Sequence, residues 1–251
     1  MHVLVNALDP RVRLRELAAD TAYSRRTLLK VSGRGEMCMG FLRRALLAAA
    51  AFGAVAAVDG IAPAQTIIDD WSKVTPPPAP ALKPAALEAK TTALLVMDFV
   101  KQTCSEKSRP RCVASIPKVK AMIDAAKAKN VMIVWTIPPG PKPEDFLPEI
   151  APPPDTKFLV ANVDKFYNPD LDQMLKAKGI TTVITTGTSS YGAVLFTTSG
   201  ALVRGYNVVV PVDGMSAGDA YGDQSTAWIL ANFPGAANRV TMTRGDMIAY
   251  K

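Results

Sequence analysis

The stretch Thr182-Val-Ile-Thr-Thr-Gly-Thr-Ser-Ser-Tyr-Gly-Ala-Val-Leu-Phe-Thr-Thr-Ser-Gly-Ala-Leu-Val-Arg-Gly205 changes character twice within one run. It opens on a short β-branched segment and passes through small and hydroxyl residues. It then takes on the composition of a helix over 191–204 that a glycine terminates. A strand, a tight turn and a helix in immediate succession are one unit of a βα repeat.

Outward from that unit the same alternation recurs. Apolar runs at 93–97, 131–135, 158–160, 182–185, 208–210 and 240–242 are continuous rather than alternating, as in strands covered on both faces. Helical segments fit between most of them. Val119, Met122, Ile123 and Ala126 recur at helical spacing, and Pro169 stands as a first-turn proline ahead of Leu171, Met174, Leu175 and Gly179. Residues 223–233 read as a last helix closed by Pro234. The expected fold is a single α/β domain over 91–251: a doubly wound, mainly parallel, Rossmann-like sheet flanked by helices. In such sheets ligands sit beyond the carboxyl ends of the strands, where the strand order reverses.

Upstream, the sequence reads as targeting. Arg43 and Arg44 precede an apolar run at 45–58, and Ala62-Pro63-Ala64 supplies a small-residue cleavage site. Residues 1–64 are thus expected to be a signal segment, and the run is too short and alanine-rich for a stable membrane span. Ser24-Arg-Arg-Thr-Leu-Leu-Lys30 resembles a twin-arginine export motif, whereas Met37 or Met39 would serve as starts for an ordinary signal. Either route leads to a periplasmic or secreted protein. Residues 65–90 then form a leader whose Thr75-Pro-Pro-Pro-Ala-Pro-Ala-Leu-Lys-Pro84 favours extended backbone.

The formal charge of +7 raises the question of nucleic acid, but nine Lys/Arg and five Asp/Glu lie in the first 65 residues, so the remaining chain is near neutral. It also lacks basic residues interleaved with aromatics, and nucleic acid is not an expected partner. Of three cysteines, Cys38 would leave with the signal, while Cys104 and Cys112 lie in the polar stretch Cys104-Ser-Glu-Lys-Ser-Arg-Pro-Arg-Cys112. In an oxidising compartment that pair is expected to form a disulfide, worth about 2–3 kcal/mol on the chain-entropy model.

Three features carry possible chemistry. Asp98 ends the first apolar run, where partial burial suits proton transfer and a turn or cap role is the plain alternative. Lys165 follows the third run and matters only if it meets Asp98 in space. The turn at 187–193 offers backbone amides at a helix start, suited to an oxyanion, although a well-packed turn needs no such role. It has neither a phosphate-loop lysine nor dinucleotide-binding glycine spacing, so no cofactor is expected.

Taken with Gly205-Tyr206 and Val208 to Asp213, these residues resemble the isochorismatase-like, or cysteine hydrolase, family over about 91–217. The resemblance implies that Asp98 is the acid/base aspartate and Lys165 the site lysine. It also implies a cis peptide at Thr188-Ser189 and an oxyanion hole from the amides of Ser189 and Ala193. Ala193 then occupies the position of the nucleophilic cysteine, and a methyl group cannot attack a carbonyl.

Three readings follow. Asp98 is a general acid for vinyl-ether hydrolysis, as in the family's cysteine-free isochorismatases; or Ser189, Ser190 or Tyr191 is the nucleophile with Lys165 as base; or the protein binds a small molecule without turning it over. The substrate expected is small and cyclic or unsaturated, in a pocket walled by Phe99, Trp135, Phe166, Tyr167, Ser190 and Tyr191. The resemblance also implies a homo-oligomer. No metal is expected, since His2, the only histidine, would leave with the signal.

Overall fold

The computed structural model describes residues 66–251. The expected signal segment, with Cys38 and the expected cleavage site at 62–64, lies outside the described residues.

The helices are α1 (Ile67–Asp70), α2 (Pro110–Ala128), α3 (Pro169–Ala177), α4 (Leu195–Val203) and α5 (Ala220–Ala231). The strands are β1 (Ala85–Leu87), β2 (Thr92–Met97), β3 (Met132–Ile137), β4 (Leu159–Val160), β5 (Thr182–Thr188), β6 (Asn207–Pro211), β7 (Met215–Ser216), β8 (Val240–Thr243) and β9 (Ile248–Tyr250). The main sheet runs β4-β3-β2-β5-β6-β8, with β7 added beside the end of β5, and every pairing in it is parallel. The chain starts at β2, winds outward to β4, returns to β5 beside β2, and winds outward again. The reversal therefore lies between β2 and β5, whose ends Met97 and Gly187 are in register.

All six residues of β2 are buried, which explains why its apolarity is continuous. Successive residues point to opposite faces and build two cores. One gathers Leu95, Met97, Val183, Val208, Leu171 and Leu202; the other gathers Leu94, Val96, Ile184, Val209, Val119 and Ile123. Among the described residues no helix is long and apolar enough to cross a membrane.

Two departures from the sequence reading bear on the site. The start of the expected 191–204 helix is a π-helical turn, Ser190–Val194, ahead of α4. The folded unit also begins before Thr91: β1 pairs in parallel with β9, and Lys83 donates its N–H to the Met242 carbonyl. The end of the proline-rich leader is thus part of the fold.

Candidate active site

Asp98 follows β2 with φ 61°, in the left-handed region that aspartate tolerates better than branched residues do. That backbone turn directs its carboxylate under the sheet edge, where it is only 6% exposed. Oδ1 accepts from Thr136 Oγ1 of β3 at 2.9 Å, and Oδ2 accepts from Lys165 Nζ at 2.6 Å.

Lys165 is fully buried. Its Nζ also donates to the carbonyls of Ala161 at 3.1 Å and Asn162 at 2.8 Å. Three acceptors around one nitrogen are the arrangement of an ammonium with every donor used. Its backbone N–H donates to Thr197 Oγ1 of α4 at 3.1 Å, locking the lysine segment onto the helix that leaves the turn.

Burial is the largest influence on both groups. It pushes the Asp98 carboxyl above its ordinary range against the pull of Lys165, and pushes the Lys165 ammonium below its own range against the pull of Asp98. The site therefore holds a desolvated ion pair at the point where the strand order reverses.

Facing it, β5 ends in the cis peptide Thr188-Ser189 and enters the π-helical turn. Gly187 is required here by contact: a Cβ at this position would lie 2.8 Å from the Met97 carbonyl oxygen and 2.9 Å from Met97 Cβ. Only glycine allows β5 to lie this close to the residue before Asp98. Ala193 is buried within the turn. Ser190 is also buried and donates to Asp223 Oδ1 at 2.8 Å, while Asp223 Oδ2 receives Arg111 at 2.7 Å. Ser190 thus pins the turn to α5.

Cys104 and Cys112 are joined by a disulfide with Cα atoms 5.4 Å apart. Cys112 lies inside α2 rather than in a loop, because Pro110 starts that helix at its first turn. These are the only cysteines among the described residues.

The aromatic wall expected from sequence does not form. Phe99 and Trp135 are buried in the core on one face of the sheet, with Trp135 Nε1 donating to the Ile150 carbonyl at 2.9 Å, and Phe166 is buried in the core on the other face against Tyr206. In a sheet covered on both sides, an aromatic near a strand end is core like its neighbours. Tyr167 is 78% exposed and Tyr191 is half-exposed, lying over Gly222. A cleft of about 550 Å³ next to the turn is lined instead by Arg111, Ser115, Met215 and Asp223, with Pro80 and Leu82 of the leader.

Sequence reasoning missed the contacts of Thr136, Thr197 and Asp223. Thr136 carried a usable signal, a hydroxyl in the otherwise apolar run 132–137. Among the described residues no group of three or more His, Cys, Asp or Glu converges as a metal site would require.

Comparisons with known proteins bear on the fold. No curated protein sequence matches the chain. Among solved structures, N-carbamoylsarcosine amidase from Thermoplasma acidophilum is 22% identical with TM-score 0.54, over 62% of this chain and 97% of that one. An isochorismatase-like hydrolase from Alkaliphilus metalliredigens is 24% identical with TM-score 0.56, over 62% and 95%. A nicotinamidase from Staphylococcus aureus is 20% identical with TM-score 0.53, over 62% and 99%. At these identities the structures establish a shared fold. The isochorismatase domain model matches residues 92–243, from the first strand of the sheet to the last, and the chain belongs to the isochorismatase family.

Proposed function

We propose that this protein is an exported hydrolase of the isochorismatase family that works without a cysteine nucleophile, with Asp98 as general acid and base on a small cyclic or unsaturated organic substrate. The observation that carries the reading is the buried Asp98–Lys165 pair, 2.6 Å apart, beside a turn that holds Ala193 where the family resemblance puts the nucleophile. Both cysteines of the described domain are tied to each other, and neither can supply a thiolate. The disulfide also fits a periplasmic or secreted location.

In the reaction proposed, the Asp98 carboxyl protonates the terminal carbon of a vinyl ether. The resulting oxocarbenium ion takes up water, the hemiketal collapses to a ketone and an alcohol, and the proton from water restores the acid. Burial of Asp98 favours the protonated form this step needs. The amides of Ser189 and Ala193 would hold the substrate oxygen. A serine route fits less well: Lys165 has no free lone pair to act as base, and the Ser190 hydroxyl is buried and committed to Asp223. Amide hydrolysis through a thioester, the chemistry of a cysteine nucleophile, is not proposed. A homo-oligomer is proposed on family grounds.

The test is a hydrolysis screen of the purified protein against vinyl ethers, esters, lactones and amides, beside Asp98→Asn. Turnover is expected for a vinyl ether, falling on the order of 100-fold or more in the variant. It should also decline as pH rises through the raised Asp98 pKa, because the acid must be protonated. Turnover unchanged by Asp98→Asn would refute the assignment. No turnover from either protein, with a ligand still raising Tm, would make this a binding protein.

A further inference from the structure

α5 is apolar on two sides. Ala227 and Leu230 face the core, as a helix of this fold requires. Tyr221, Trp228 and Ile229 recur at i, i+7 and i+8 on the opposite side and are exposed, Trp228 by 46%. Packing onto the sheet accounts for the first face only, and a helix that is apolar all round belongs in an interior.

The leader covers the second face in part. Its Ile67, Trp71 and Val74, with Pro76 and Pro77, line one side of a groove of about 670 Å³, and Tyr221, Trp228 and Ile229 line the other. Trp71 is still 74% exposed there. Ile68, next in sequence to the groove wall, does not line the groove and is 83% exposed, so it stands as an apolar knob beside it. Together the seven large apolar side chains expose roughly 800 Å². That exceeds the roughly 300–600 Å² of the largest patch on an ordinary monomer. It equals what one partner contributes to a standard protein–protein interface, about 800 Å².

The chemistry of the patch selects its occupant. The charged residues of α1 are engaged within the leader: Asp69 accepts from the Thr66 N–H and hydroxyl, and Asp70 takes Lys73 at 3.3 Å. They leave little charge to recruit an oppositely charged partner. Two aspartates in one turn also disfavour an anionic lipid surface, which attracts basic segments. A groove with a knob beside it, by contrast, is complementary to itself, as a contact between identical copies across a two-fold axis requires.

We propose that this surface is a homodimer interface in which the Ile68 knob of each copy enters the Trp71–Trp228 groove of the other. The proposal goes beyond a homo-oligomer expected of the family, because one wall of the groove and the knob belong to the leader, ahead of the matched domain at 92–243. It uses none of the chemistry at Asp98 and stands or falls apart from the hydrolase reading.

Sedimentation velocity over a dilution series tests it on the purified protein, Ile68→Glu, Trp228→Glu and Val203→Glu, with Tm recorded for each. All three positions are exposed, and Val203 lies on α4 and does not line the groove. The native protein should sediment as a dimer, or as a larger oligomer built from that dimer. Ile68→Glu and Trp228→Glu should each raise the dissociation constant of this contact at least about tenfold, as charge in the centre of an apolar interface does, while Val203→Glu leaves it unchanged. Either groove variant carries the test if the other fails to fold. A monomeric native protein overturns the proposal, and a native monomer that pellets with phosphatidylglycerol vesicles would assign the patch to a lipid surface instead. An oligomer that both folded groove variants leave intact overturns it as well, by placing the contact on another face.

Discussion

Replacing Lys165 by Met tests the site through stability alone. The methionine keeps the volume and apolar stem of the lysine but leaves the Asp98 carboxylate, whose side chain is 8% exposed, without its partner. Removing one member of a buried pair costs about 3–5 kcal/mol. Loss of the donor to the Ala161 and Asn162 carbonyls adds about 1 kcal/mol each.

Asp98 can escape by taking up a proton, which limits its share of the cost. From the ordinary carboxyl value of 3.8, carrying a proton costs about 5 kcal/mol at pH 7.5 and about 1.6 kcal/mol at pH 5. In the variant the folded-state pKa of Asp98 is raised. Its contribution is therefore fully present below the unfolded value and is lost as pH rises through the folded one, and the variant's deficit should grow with pH. Urea unfolding with the disulfide intact reads this directly. The deficit expected against the native protein is about 5–7 kcal/mol at pH 7.5, much of it regained at pH 5.

Asp98→Asn/Lys165→Met removes both charges and should be more stable than Lys165→Met alone by at least about 2 kcal/mol. The same cycle shows what the pair does in the native protein. Burial raises the Asp98 pKa and lowers the Lys165 pKa, so the attraction between the two charges offsets their desolvation rather than adding net stability. A Lys165→Met deficit below about 1 kcal/mol, or one that does not change with pH, would refute this account.

Two further outcomes follow. Reduction of Cys104–Cys112 should remove about 2–3 kcal/mol and lower Tm by roughly 5–10 °C by calorimetry. Gly187→Ala should cost at least about 2 kcal/mol in chemical unfolding, because the new methyl meets backbone of β2 that cannot turn aside; a neutral substitution would show that β2 and β5 can part.

The fold was legible because the central strands β2, β5 and β6 are covered on both faces. Runs such as 93–97 and 208–210 are apolar throughout, a pattern that requires two helical layers. The three-residue β1 and β9 and the two-residue β7 carry no such period, and the prolines at 76–78 gave no hint that a strand follows. Asp98 and Lys165 stood out as polar residues just past apolar runs, and the structure brings them together. The expected aromatic wall came from the same positional argument, which fails for Phe99, Trp135 and Phe166 because core and cleft residues share those positions.

The parallel pairing of Ala85–Leu87 with Ile248–Tyr250 has a consequence for the order of assembly. Nearly all of the folded chain lies between the two strands, so this contact spans more sequence than almost any other in the molecule and carries one of the largest loop-closure costs. The first residues of the folded unit are thus among the last to be fixed. A chain still emerging keeps its proline-rich leader slack until residues 248–250 arrive to hold it.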